Sequence, residues 1–163
     1  MLTSLLKPEI KTWFEKSAAS ELYANRLYQH IANQLQRLGL FGTQKYFLKE
    51  SADELTHYQK LVDYVNDMGS VLSVPSVETI TDAITGIETA LMLAYETEVE
   101  LLRQYQKFYE EAEDKYKDSV TATFIIEFLQ IQRVSVGEYG DLISRFNLNR
   151  NDVFEFDEEM GEK

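Results

Sequence analysis

An all-α fold, a four-helix bundle with one long crossover and a short C-terminal helix, is what this sequence predicts. Three observations carry that expectation. The 163 residues include only 2 Pro and 7 Gly, so long stretches run without turn signals. Four of those stretches space apolar residues in alternating steps of four and three, the repeat that turns one helix face toward a core. Between the second and third lies Gly69 to Glu78, too long for a hairpin turn.

The first helix should open near Pro8, since proline is tolerated in an opening turn, and close near Gly39. Its inward seam reads Phe14, Ala18, Glu21, Asn25, Tyr28, Ala32, Leu35. The second should run from about Thr43 to Met68 and stop at Gly69, with the seam Phe47, Glu50, Glu54, His57, Leu61, Tyr64, Met68. The third, from about Thr79 or Asp82 to Glu113, offers Ile84, Glu88, Leu91, Tyr95, Glu98, Leu102, Tyr105, Tyr109. The fourth, from about Tyr116 to Phe146, offers Ile125, Phe128, Gln132, Ser135, Tyr139, Leu142, Phe146.

Short connections near Gly39 to Gly42 and Glu113 to Tyr116 can join only antiparallel neighbours. Gly69 to Glu78, with Val74, Pro75 and Ser76, is about ten extended residues and reaches roughly 33 Å, enough to make helices two and three parallel. Two units are expected: a bundle over residues 1–146, and an acidic tail over 147–163 with a short fifth helix around Phe156 to Met160.

The net charge of -12 leaves no basic stripe, which argues against nucleic acid. It suits a cationic partner or simply a solubilising surface. The absence of Cys removes disulfides, thiolate ligands and Cys nucleophiles together. Met1 to Lys7 is too short and too quickly charged for a signal peptide, and no apolar run approaches a membrane span. The expectation is a soluble, cytoplasmic protein with neither a nucleic-acid nor a membrane partner.

Each seam is apolar except near its middle, where Glu21, Glu54 with His57, Glu98 and Gln132 interrupt it. Glu54-Leu55-Thr56-His57 is an E-x-x-H pair one helical turn apart, so both side chains reach one level. Alone, that motif is common on solvated helices, and Glu98 sits in an acidic run with Glu96 and Glu100. The coincidence of four seams is what points to metal. Unpaired carboxylates in a core cost several kcal/mol each, and two ferrous ions would neutralise them. Mixed oxygen and nitrogen ligation suits iron, and the lack of thiolate argues against structural zinc or an iron–sulfur cluster. Glu21, Glu54 and His57 would form a first site. Glu54 could bridge to a second metal held by Glu98, with Gln132 reaching it directly, through water or through bound oxygen. A di-iron centre in a four-helix bundle is built from such parts.

These residues resemble ferritin, over nearly all of Glu21 to Phe146. Glu21-Leu22-Tyr23-Ala24 with Tyr28 is similar to the first-helix motif, Glu54-Leu55-Thr56-His57 to the second-helix E-x-x-H, and Glu98 to the third-helix ligand. Gln132-Arg133-Val134-Ser135 followed by Glu138-Tyr139-Gly140-Asp141 is similar to the fourth helix of animal H-type ferritins, where a small residue can stand at the Ser135 position. The resemblance implies a non-haem ferritin with an H-type-like ferroxidase centre. Its first iron would be held by Glu21, Glu54 and His57, its second by Glu54, Glu98 and Gln132. It implies that Tyr28 is either a hydrogen-bond or electron donor at the centre, against the alternative of an ordinary core phenol. It also implies the reaction: Fe(II) oxidised to Fe(III) by dioxygen, then stored as mineral in a homo-oligomeric shell of 24 subunits.

Departures from the family pattern accompany it. Asp53 remains from the third iron site of bacterial ferritins, but Ile131 and Val134 stand where its fourth-helix carboxylates would be, so that site is expected to be absent or altered. Asp157, Glu158 and Glu159 charge the position of the fifth helix, which puts the cage in question more than the fold. Glu50 either guides iron or points to the surface, and Glu127 either joins an interface ion pair or faces a cavity. His30 is expected to be exposed or at a subunit contact, and Trp13 to pack.

Iron storage with ferroxidase activity is therefore the leading expectation. A rubrerythrin-like peroxidase or a bacterioferritin would need a second E-x-x-H, which the chain lacks. The alternative from a different class is a non-catalytic, iron-binding or iron-buffering assembly protein of the same fold.

Overall fold

The computed structural model describes residues 2–163; Met1, with which the expected bundle unit opens, lies outside them. The helices are α1 (Pro8–Arg37), α2 (Phe41–Asp67), α3 (Ile87–Glu110), α4 (Ser119–Leu148) and α5 (Val153–Gly161), and no strand occurs among the described residues. Among the described residues, no helix is long and apolar enough to cross a membrane.

The first two helices stop by the same device. Gly39 (φ 80°) and Gly69 (φ 75°) take the left-handed conformation that a Cβ disfavours. This turns Leu40 N–H back to the Leu35 carbonyl and Ser70 N–H back to that of Val65, both at 3.0 Å, and satisfies carbonyls the helix leaves orphaned. Asp118 and Asp152 cap the starts of α4 and α5, accepting from the backbone N–H of Thr121 (3.1 Å) and Glu155 (2.9 Å).

Side-chain pairs fix the helix directions. Glu21 faces His57, Asn25 bonds Ser51, and Gln44 donates to Gln36, so residue numbers rise on α1 as they fall on α2. Tyr46 against Tyr139, Lys60 against Glu127 and Tyr64 against Thr121 set α2 antiparallel to α4 in the same way. Arg150 to Glu88 and Gln132 to Glu98 set α4 antiparallel to α3. Helices α2 and α3 are therefore parallel, which requires the crossover.

That crossover is longer than Gly69 to Glu78. Residues 70–86 carry no helix, and neither Thr79 nor Asp82 opens one: the Asp82 carbonyl is held by His30 Nε2 at 2.8 Å, tying the strap to α1. The start of α3 is set instead by the Thr89 hydroxyl, which accepts from the backbone N–H of Thr85 (2.9 Å) and Gly86 (3.2 Å). The buried face of α3 is also rotated about one residue from the expected seam. Ala90, Ala94, Leu101 and Phe108 join Leu91, Glu98 and Tyr105 inside, while Glu88 is exposed and paired with Arg150. The small side chains admit the neighbouring helices, and a charge with a solvated partner has no reason to be buried. Past Glu110 the chain widens into a π-helical turn over Glu111–Lys115, and Lys117 (φ 51°) reverses it into α4.

The last helix closes the base of the bundle. Buried Asp157 of α5 accepts from the N–H groups of Gly42 (3.1 Å) and Thr43 (2.8 Å) and from the Thr43 hydroxyl (2.7 Å), capping α2, whose own N-cap Leu40 offers no side-chain acceptor. The helices touch so closely that a Cβ on Gly42 would lie 1.8 Å from the Asp157 carbonyl oxygen. Gly42→Ala is expected to cost about 1–3 kcal/mol, the range of overpacked contacts. Hydrogen exchange should show α5 losing protection first; unchanged protection of Phe156 and Met160 would refute this docking.

Candidate metal centre

The four main helices bring their polar seam residues to one level. Glu21, Glu54, Glu98 and Gln132 are each no more than 2% exposed, and His57 is half-buried beside them. Glu21, Glu54 and His57 offer ligand atoms that all lie within 4.8 Å of one another. His57 Nδ1 is 3.2 Å from Glu54 Oε2 and 3.8 Å from Glu21 Oε2. This follows from helix geometry: residues three apart on α2 share a face, and α1 presents Glu21 opposite.

Glu98 stands beside this trio, held by two donors. The Tyr28 hydroxyl gives its hydrogen bond to Oε1 at 2.5 Å, and the Gln132 amide donates to Oε2 at 2.6 Å. Glu21 is held likewise, by Tyr105, whose hydroxyl donates to Oε1 at 2.6 Å. One turn along, Asn25 Nδ2 donates to the Ser51 carbonyl at 2.6 Å and the Ser51 hydroxyl donates to the Asn25 carbonyl at 2.8 Å, pinning α1 to α2.

What remains unsatisfied is informative. Glu21 Oε2 and Gln132 Oε1 are buried without a hydrogen-bond partner. Burial, then the charges of Glu21 and Glu98, hold the Glu54 carboxyl well above its ordinary range. Glu98 is raised by burial too, against the opposing hydrogen bonds from Tyr28 and Gln132. For His57 burial, the largest single cause, pulls the imidazole down, but the carboxylates of Glu21, Glu98 and Asp53 together outweigh it and the net shift is upward. Burial, first, and the carboxylates keep the phenols of Tyr28 and Tyr105 protonated well past their usual range. A pocket short of positive charge, with acceptor oxygens turned inward and one imidazole, is a donor set for a hard or borderline divalent cation.

A groove of about 590 Å³ between α2 and α4 reaches Glu54 and His57, bordered by Glu50, Asp53, Ser135 and Glu138. Burial, followed by the charges of Asp53 and Glu138, pushes Glu50 up to about 7. Asp53 and Val134 are exposed and Ile131 is half-buried, so α4 supplies no carboxylate beside Asp53. Glu127 is solvated and lies 3.8 Å from Lys60 of the same chain. Trp13 packs on Phe108 and donates to Glu111 at 2.6 Å. Tyr105, which the sequence places only on the apolar seam of the third helix, joins the centre as well, and it follows Glu98 by the same seven residues that separate Tyr28 from Glu21.

Buried carboxylates from three helices, one of them in an E-x-x-H turn, inside a four-helix bundle with a long crossover, define the ferritin-like class of metal-binding bundle. The chain belongs to the ferritin family, whose ferritin-like domain matches residues 14–149. It is similar to the bacterial non-haem ferritin of Escherichia coli O6:H1, 23% identical over 144 residues that cover 88% of this chain and 87% of the relative. A Staphylococcus aureus bacterial non-haem ferritin is 24% identical, with 86% of each chain covered. Among solved structures, an open-pore ferritin from the archaeon Archaeoglobus fulgidus superposes with a TM-score of 0.93 at 21% identity, covering 97% of this chain and 98% of that one. Family membership and the Glu21, Glu54, His57 group together support a role in iron storage.

Proposed function

We propose that this chain is an iron-storage ferritin with ferroxidase activity, and the observation that carries the reading is the buried Glu21, Glu54, His57 group beside a pre-oriented Glu98. Iron is substrate and cargo here. Glu21, Glu54 and His57 hold the first Fe(II); Glu54, Glu98 and Gln132 hold the second, with Gln132 offering its otherwise unpartnered Oε1. Two Fe(II) each give one electron to dioxygen, which takes up two protons to leave two Fe(III) and hydrogen peroxide. The chain's part is to hold both ions at one level, keep bulk water out with the aromatic core, and keep Tyr28 protonated as the donor that fixes Glu98. Ser135 borders the groove without a charge, so the second ion is held loosely and moves on as Fe(III).

Storage requires an enclosure, and we place the chain in a homo-oligomeric shell of 24 subunits in the cytoplasm. The bundle's likeness to a protein described as an open-pore ferritin supports a shell. The same Ser135 favours the second reading, an iron buffer that binds without fast oxidation. Mixing two Fe(II) per subunit with oxygenated buffer separates the two. Rapid consumption near two irons per dioxygen, with a native mass of 24 subunits, is the expected result; binding with oxidation only at the buffer rate overturns the ferroxidase in favour of the buffer.

A further inference from the structure

Helices α1 and α3 carry the same two residues at the same spacing and exchange them. On α1, Glu21 is followed seven residues later by Tyr28; on α3, Glu98 is followed seven residues later by Tyr105. Because the helices are antiparallel, each tyrosine meets the other helix's carboxylate: Tyr28 donates to Glu98 at 2.5 Å and Tyr105 donates to Glu21 at 2.6 Å. Both phenols are fully buried, and each bond takes up one oxygen of its carboxylate. At Glu21 this leaves Oε2, which has no hydrogen-bond partner, 3.8 Å from His57 Nδ1.

We propose that Tyr105 is a positioning residue for the metal held by Glu21, Glu54 and His57, and that the two tyrosines act separately, Tyr105 on that ion and Tyr28 on the ion beside Glu98. The inference rests on the di-metal reading above. A carboxylate with one oxygen fixed by a phenol turns the other in a set direction, so the ion meets an oriented ligand and loses less freedom on binding. The separation follows from the geometry, since neither tyrosine bonds the other's carboxylate. Gln132 also holds Glu98, whereas among the described residues no second hydrogen-bond donor holds Glu21. Glu21 therefore depends on its tyrosine more heavily than Glu98 does.

Anaerobic titration of the metal-free, full-length protein with Co(II) tests this without any turnover. The ion beside His57 shifts that ring's proton resonances paramagnetically, and His30, the other histidine, is on the crossover side of α1. Total binding follows from the visible Co(II) bands. Tyr105→Phe keeps the buried ring and removes only the hydroxyl. It is expected to weaken the site reported by His57 by about tenfold to a hundredfold, the usual effect of removing a partner that orients a ligand, and to leave the other site within about twofold. Tyr28→Phe should do the reverse and more weakly. Equal weakening of both sites by Tyr105→Phe, as a general loosening of the core would give, overturns the proposal; so does no weakening at all. Failure of the wild-type protein to bind two Co(II) per subunit would sink the di-metal reading itself, a different result from two normal sites insensitive to Tyr105.

Discussion

Replacing His57 or Glu54 by Ala is expected to bring Fe(II) oxidation down to the rate of protein-free buffer, while the helical content stays that of the parent. Glu54 is the residue on which both proposed sites converge, because it lies 3.2 Å from His57 and the charges of both Glu21 and Glu98 act on its carboxyl. Its loss removes a ligand from each ion at once. His57 is the only nitrogen donor of the group, and without it two carboxylates must hold the first ion alone. Neither change should unfold the protein: the core around them is dominated by Phe14, Phe47, Phe108 and Phe128, and removing one of several crowded carboxylates relieves repulsion in the metal-free state. Glu127→Ala is the control, since Glu127 is solvated and paired only with Lys60. Stopped-flow oxidation with circular dichroism on the same samples checks all three. Initial rates for Glu54→Ala or His57→Ala equal to the parent would remove those residues from the site.

Much of this centre is legible in the sequence because a helical seam converts spacing into position. Glu21, Glu54, Glu98 and Gln132 each interrupt an apolar repeat, and burial of an interrupted seam forces the polar groups together. The ends of α1 and α2 are legible for a related reason: Gly39 and Gly69 are placed where only a left-handed residue lets the chain turn back. The start of α3 is not. Thr79, Asp82 and Thr85 are all of a type that caps helices, yet the N-cap is Gly86, closed by the Thr89 hydroxyl, while His30 reaches across from α1 to hold the Asp82 carbonyl in the strap. Local preference cannot register a partner more than fifty residues away. The cap on α2 is hidden likewise, because Asp157 arrives from α5 and reads in sequence as one more acid in a charged tail. Tyr105 shows a third kind of loss. Its register is visible, but a tyrosine on a core seam is usually packing, and its full burial and its contact with Glu21 separate it from Tyr95 and Tyr109, which are half-buried with no such bond.

Metal and pH should trade places in stabilising the fold. In the metal-free protein, Glu54, Glu98 and His57 all have folded-state pKa values above their ordinary ones. A group of that kind stabilises the fold fully below its unfolded-state pKa, and that stability is lost as pH rises through the elevated folded value. For the two carboxyl groups the loss therefore begins above about 4.5, and for His57 above about 6.5. The metal-free melting temperature is accordingly expected to fall between pH 5 and pH 8 as these carboxylates ionise against one another. A divalent cation must displace the same protons, so its contribution grows over the same interval. At a free concentration a hundred times Kd, each ion adds about 2.7 kcal/mol. A chain of this size shifts roughly 2–4 °C per kcal/mol, so two ions should raise the melting temperature on the order of 10–20 °C at pH 8. Zn(II) serves as the probe, since it does not react with oxygen. Melting curves with and without Zn(II) should nearly meet at pH 5 and separate steadily above it. Curves that run parallel across the range, or coincide at pH 8, would mean that the ion binds away from Glu54, Glu98 and His57, because a ligand that displaces their protons must widen the gap as pH rises.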